Sequence, residues 1–133
     1  IISKYFNESE FQSCTPGCSL QDMKQRTISK LDTAREIVGI PFSLSSAFRS
    51  DEWDISRGRT GTGSHTLGQA VDIRCTNQRD RFLMICALLQ AGFNRIGIGD
   101  TFIHADDSEV HTQNLIWFIK VHFCLNSLMF IFV

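Results

Sequence analysis

One ten-residue stretch constrains the fold more than any other: Ser64-His65-Thr66-Leu67-Gly68-Gln69-Ala70-Val71-Asp72-Ile73. It sets a histidine and a carboxylate seven residues apart, with a glycine between them. Ala70-Val71-Asp72-Ile73 reads as a short buried strand. A carboxylate on a buried strand is costly unless it meets a cation, a metal or several donors. His65 lies just before the strand, on a loop that Gly68 allows to turn sharply. The two side chains can therefore converge on one point. Imidazole nitrogen and carboxylate oxygen together suit a zinc ion.

A catalytic zinc site commonly takes three protein ligands and keeps a fourth position open. The histidines are His65, His104, His111 and His122. His104 falls in Phe102-Ile103-His104-Ala105-Asp106, after the apolar run Arg95-Ile96-Gly97-Ile98, and both stretches read as strands. Alternation puts Phe102, His104 and Asp106 on one face. His104 is thus the expected third ligand beside His65 and Asp72, while His111 and His122 read as structural or surface residues. Taken singly, the three ligands have plain structural readings: a capping His, a structural Asp and a core His. Their combination with Ser64, Gly68 and Arg49 is harder to explain that way.

Ser-x-His-x-x-Gly-x-Ala-x-Asp followed by a later strand His resembles the zinc D-Ala-D-Ala carboxypeptidase and L-Ala-D-Glu endopeptidase family. That family includes peptidoglycan-trimming enzymes and phage endolysins, and it shares its fold with the Hedgehog signalling domain. Ser46-Ala47-Phe48-Arg49 is similar to the family's Ser-x-x-Arg. Gly92-Phe93-Asn94-Arg95-Ile96-Gly97-Ile98 is similar to a run found in a bacterial and phage branch. The resemblance covers roughly residues 4 to 118. It implies an α+β fold with a small, mostly antiparallel sheet and helices packed on it, a Zn2+ cofactor, and a peptidoglycan peptide as substrate.

A metallopeptidase also needs a general base near the attacking water. Most family members carry Glu or Asp three residues before the last His, where this chain has Thr101. Asp106 shares a strand face with His104, and the His-x-Asp pattern of the similar branch favours it. Asp100 is in phase but sits at a Gly99-Asp100 turn. Asp107 is a further candidate. The plain reading of Asp106 is a partner that orients His104 through its other ring nitrogen. Arg49 is suited to steady a developing oxyanion or to hold a substrate carboxylate. Ser64 is expected either to hydrogen-bond substrate or to cap its turn. Trp53 can line a cleft or stand as an ordinary loop aromatic.

At 133 residues the chain is long enough for one core. Its hydrophobic content of 43% and charged content of 20% fit an ordinary globular chain. A formal net charge of -1 gives no reason to expect a nucleic-acid partner. The first residue is Ile, so a fragment or processed form is expected, from which a signal peptide could already be gone. Five cysteines, an odd number, argue against a complete disulfide framework. Cys14 and Cys18 are expected to be free thiols or a local bridge rather than half a metal site.

Along the chain, residues 1–18 read as an irregular segment with Tyr5, Phe6 and Phe11 on the core and a turn at Thr15-Pro16-Gly17. A first helix is expected from a Ser19 cap, with Asp22 three residues on, to a stop at Gly39. Phe42 to Phe48 alternates as a strand with Phe42, Leu44 and Phe48 on one face. Residues 50–63 read as a glycine-rich loop that shapes access to the site. A second helix, capped by Asn77 or Thr76, is expected to run through Phe82, Ile85, Leu88 and Leu89 to Gly92. Residues 1–118 form the expected peptidase-like domain. Residues 119–133 are a hydrophobic extension: a final core strand, an appended segment without fixed structure, or a tail anchor interrupted by Lys120, His122 and Asn126.

The expected function is a zinc peptidase cleaving amide bonds at D-amino acids in peptidoglycan, acting as a monomer on the cell wall as a lysin or carboxypeptidase. The alternative is a non-catalytic zinc-binding module of the same fold, which the missing carboxylate before His104 favours. A membrane role is not expected apart from the open question of the tail.

Overall fold

The computed structural model describes residues 1–119, 121–125 and 128–132, the last two segments by backbone alone. Its main sheet has five strands in the order β1-β2-β4-β3-β5. These are β1 (Leu44–Ser46), β2 (Ala70–Arg74), β3 (Arg95–Ile98), β4 (Phe102–Asp106) and β5 (Leu115–Phe118). All neighbours are antiparallel except β3 and β5. Helices α1 (Glu8–Gln12), α2 (Gln25–Val38), α3 (Asp51–Ser56) and α4 (Gln78–Ala91) complete the α+β arrangement. Strands β6 (Val121–Leu125) and β7 (Leu128–Phe132) pair with each other as a separate two-stranded sheet. Whether residues 119–133 act as core strand, extension or anchor turns on side chains outside the described residues. Among the described residues, no helix is long and apolar enough to cross a membrane.

The core lies between the sheet and the long helices. Ile28, Leu31 and Ala34 of α2 and Met84, Ala87 and Leu88 of α4 pack with Val71, Ile73, Ile96, Ile103 and Ala105 of the strands. Each fully buried aliphatic side chain contributes about 1.5–3 kcal/mol. Phe6 and Phe11 join this cluster from the N-terminal segment, and Tyr5 packs against it. The α4 face differs from expectation. Phe82 is 68% exposed and Leu89 43% exposed, and Met84 and Ala87 take the inward positions instead.

The first helix also differs. Ser19 caps only a 3-10 turn, Leu20–Asp22, and Met23 is extended at ψ 158° before α2 starts at Gln25. A tertiary contact makes the break: the Lys24 amide donates to the Gly68 carbonyl (2.9 Å). Gly68 has φ +70°, and a Cβ there would lie 2.4 Å from the Asp22 carbonyl oxygen. The interrupted helix is thus the seat on which the His65 turn docks. Gly68→Ala is expected to lower stability by ~2 kcal/mol or more, from left-handed backbone strain plus the clash. A urea midpoint unchanged from wild type would show that the turn does not need this approach.

Residues 50–63 are not simply a loop. Ser50 caps α3, its Oγ accepting from the Trp53 amide (3.1 Å). Acidic residues in the first turn, Asp51, Glu52 and Asp54, favour the helix there. The expected strand over 42–48 shortens to Leu44–Ser46, with an irregular register against β2. Cys14, Cys18, Cys75 and Cys86 are free thiols.

Candidate metal centre

The site is built on one row of the sheet. Ser46, Asp72, His104, Gly97 and Trp117 face one another in turn across β1, β2, β4, β3 and β5. Asp72 and His104 are therefore cross-strand partners. His65 joins them from a 3-10 turn, Ser64–Leu67, which Gly68 ends. Two bonds tie that turn to the chain leaving β1: His65 Nδ1 donates to the Ala47 carbonyl (2.6 Å), and the Arg49 amide donates to the His65 carbonyl (3.2 Å).

Three atoms then converge. His65 Nε2 lies 3.2 Å from Asp72 Oδ1 and 3.2 Å from His104 Nδ1, and His104 Nδ1 lies 3.0 Å from Asp72 Oδ1. The other nitrogen of each ring is already committed, His65 Nδ1 to Ala47 and His104 Nε2 to Asp106 Oδ2 (2.6 Å). In their neutral forms both rings consequently aim a lone pair at the same point as the carboxylate. Three converging acceptors repel unless a cation sits among them. Zinc–nitrogen bonds of ~2.0–2.1 Å in tetrahedral geometry put ligand atoms roughly 3.3–3.4 Å apart, so the observed triangle fits a zinc ion with little movement. Among the described residues, these three form the group able to hold a metal.

Electrostatics follow the same plan. Burial pushes His65 down, with His104 and Arg49 adding to this against the pull of Asp72, which keeps the ring neutral and able to ligate. Burial alone would raise Asp72, but the facing histidines outweigh it and hold the carboxyl well below the usual carboxylate range. Burial also opposes charge on His104, yet the Asp106 and Asp72 carboxylates outweigh it and raise the imidazole. In metal-free protein a proton on His104 relieves the repulsion, at the position that a metal ion would take.

The other expected site residues are placed as follows. Asp106 is 0% exposed, and both its oxygens are engaged: Oδ2 by His104, Oδ1 by Arg95 Nε (2.7 Å) and the Ser108 amide (3.1 Å). Against burial, the His104 bond, the Ser108 amide and Arg95 hold its carboxyl below the ordinary range. Asp100 is exposed in the β3–β4 turn, its carbonyl accepting from Arg81. Asp107 is buried away from the three ligands, bonded to Arg26, Thr27 and Lys30, which ties the chain after β4 to α2. Ser64 is buried and its carbonyl accepts from the Gln69 amide. Arg49 reaches the site: its guanidinium lies 3.8 Å from Asp72 Oδ2 and donates to Asp54 Oδ1 (3.2 Å). Arg49 and Trp53 line a cleft of about 400 Å³ in whose wall Asp72 is the one member of the three ligands. His111 bonds Ser108, outside the metal group.

Three contributors were not singled out from the sequence for this role. Arg95 anchors Asp106, and a cation in an otherwise apolar strand was a readable signal. Asp54 anchors Arg49 from a position that has no signal in the sequence. Trp117 packs its ring 5.5 Å from that of His104, with the Arg95 guanidinium 5.1 Å from the same indole. Gly97 makes this possible, because a Cβ there would lie 3.1 Å from both His104 Cβ and the Trp117 ring.

Fold and site together define a small α+β domain in which two sheet strands and a 3-10 turn bring together a His-Asp-His group able to bind a metal. Residues 4–106 match the family model described as Peptidase M15, and the chain belongs to that family of zinc peptidases. Comparison with curated proteins returns no match.

Proposed function

We propose that the protein is a zinc-dependent peptidase that hydrolyses amide bonds at D-amino acids in peptidoglycan stem peptides, as a cell-wall lysin or carboxypeptidase. The observation that carries this reading is the triangle of three acceptors at 3.0–3.2 Å, with the second nitrogen of each imidazole tied off, in a chain of a peptidase family. His65, Asp72 and His104 would hold the ion. A zinc bound there supplies a Lewis acid that polarises a carbonyl and lowers the pKa of water to ~7.

The chain's own residues prepare the cleft. Arg49, held by Asp54 and Ser46, points donors into the cleft beside Asp72, where negative charge on a substrate carbonyl or a terminal carboxylate would be stabilised. Asp106 keeps His104 in the tautomer that leaves Nδ1 free to ligate. Because both its oxygens are occupied, this reading gives Asp106 a positioning role rather than that of the base. The same observation, with Thr101 where the family usually has a carboxylate, favours the second reading, a zinc-binding module without catalysis.

The test is to purify the full chain, measure its metal content and incubate it with purified peptidoglycan with and without chelator. One zinc per chain and chelator-sensitive release of new amino termini or free D-alanine are expected. Bound zinc with no cleavage of any muropeptide would establish the binding module instead.

A further inference from the structure

The cleft beside the metal group carries more positive charge than Arg49 alone brings. Arg57 and Arg59 line it as well, and Asp72 is the only carboxylate in its lining. Asp54 is buried behind the arginines and fixes this wall. Its Oδ1 faces Arg49 (3.2 Å) and Arg59 (3.8 Å), and its Oδ2 accepts from the Gly61 amide (3.0 Å). The exposed acids of α3, Asp51 and Glu52, lie outside the lining. Arg57 is the best-placed free cation. Among the described residues no carboxylate pairs with it, and its guanidinium lies 4.1 Å from the centre of the Trp53 ring. A guanidinium lying over an aromatic ring can still offer N–H groups as the fork that a carboxylate matches.

We propose that Arg57, over the Trp53 ring, and Arg59, beside Asp54, form a second anionic subsite that selects peptide substrates carrying a free carboxylate in addition to any group held by Arg49. The proposal rests on the peptidase reading above. In a stem peptide, a residue linked through its side chain, such as γ-linked D-glutamate, leaves an α-carboxylate of this kind. Amidation of that carboxylate would remove the charge and keep the shape.

The experiment is calorimetric titration of zinc-loaded full chain with L-alanyl-γ-D-glutamyl-L-lysine and with the same tripeptide carrying an α-carboxamide on its glutamyl residue. Wild type is expected to bind the carboxylate form about tenfold more tightly, a preference that shrinks as salt rises because both arginines are exposed. The double variant Arg57→Gln/Arg59→Gln is expected to bind both forms alike, at the carboxamide level. Both residues are exposed, so the fold should tolerate the change. Equal binding of the two peptides by wild type, or a preference that survives in the double variant, overturns the subsite. If neither peptide binds, glutarate decides: binding by wild type and loss in the double variant keeps the subsite and removes the peptidoglycan reading, whereas no glutarate binding overturns the subsite.

Discussion

Asp72→Ala is expected to reduce bound zinc from one equivalent per chain to roughly a tenth or less. Asp72 Oδ1 is the corner shared by both histidine contacts, at 3.2 and 3.0 Å, and the only anionic member of the triangle. Without it, two imidazoles would have to hold a dication in a buried pocket without charge compensation. The effect can be read without any assay of catalysis. Ligand binding to the native state stabilises by ~2.7 kcal/mol at a free concentration of one hundred times Kd. For a chain of this size that is a rise in Tm of several degrees, on the order of 5 °C or more. Wild type should show this rise on adding zinc, and Asp72→Ala should show none. His111→Ala, outside the group, should retain the full equivalent. Zinc uptake should also weaken as pH falls, because the raised His104 must give up its proton before Nδ1 can ligate. An Asp72→Ala protein that kept one zinc and its thermal shift would place the metal elsewhere.

The ligand set was legible because its chemistry is written locally. His65 and Asp72 are joined by a turn whose glycine is visible, and strand alternation around His104 could be counted. What surrounds the ligands was less legible, for a consistent reason. Bonds to backbone groups, such as His65 Nδ1 to the Ala47 carbonyl, involve no residue type that stands out in a sequence. The break before α2 comes from Lys24 meeting the Gly68 carbonyl, a contact between segments far apart in the chain, and it overrides the local preference of Ser19 to Val38 for one helix. Trp117 reaches His104 only through the parallel pairing of β5 with β3. α3 is a different case: a capping Ser50 followed by acids was there to be read, and the glycines that follow obscured it. On α4, Phe82 and Leu89, seven residues apart, share one helix face, but it is the exposed one, and the buried stripe runs through Met84, Ala87 and Leu88.

Asp106 offers the sharper separation, because two substitutions at one position should do different things. Asp106→Ala removes the partner of three donors, leaving the Arg95 guanidinium buried beside Trp117 without its carboxylate. Breaking a buried pair this way costs about 3–5 kcal/mol, a large part of the stability of a domain this size. Asp106→Asn keeps the shape. Its amide oxygen can still accept from Arg95 and Ser108, so the expected loss is smaller, about 1–3 kcal/mol. That orientation turns the amide NH2 toward His104 Nε2, which must then accept. The ring proton moves to Nδ1, the atom that faces Asp72 and His65, and the lone pair needed for ligation is gone. Zinc affinity in Asp106→Asn should therefore fall by roughly 10–100-fold although the protein remains folded. The two effects are read separately, stability from a urea midpoint and affinity by competition with a chromogenic chelator. The acid limb of stability should change as well. The Asp106 carboxyl is held below its ordinary value, so its contribution is present above about pH 4 and is lost as pH falls through the depressed value. That part of the acid dependence should be missing from the Asn variant. If Asp106 were instead the proton acceptor of the reaction, Asp106→Asn would lose turnover while binding zinc as tightly as wild type, and that outcome would return the catalytic role to this residue.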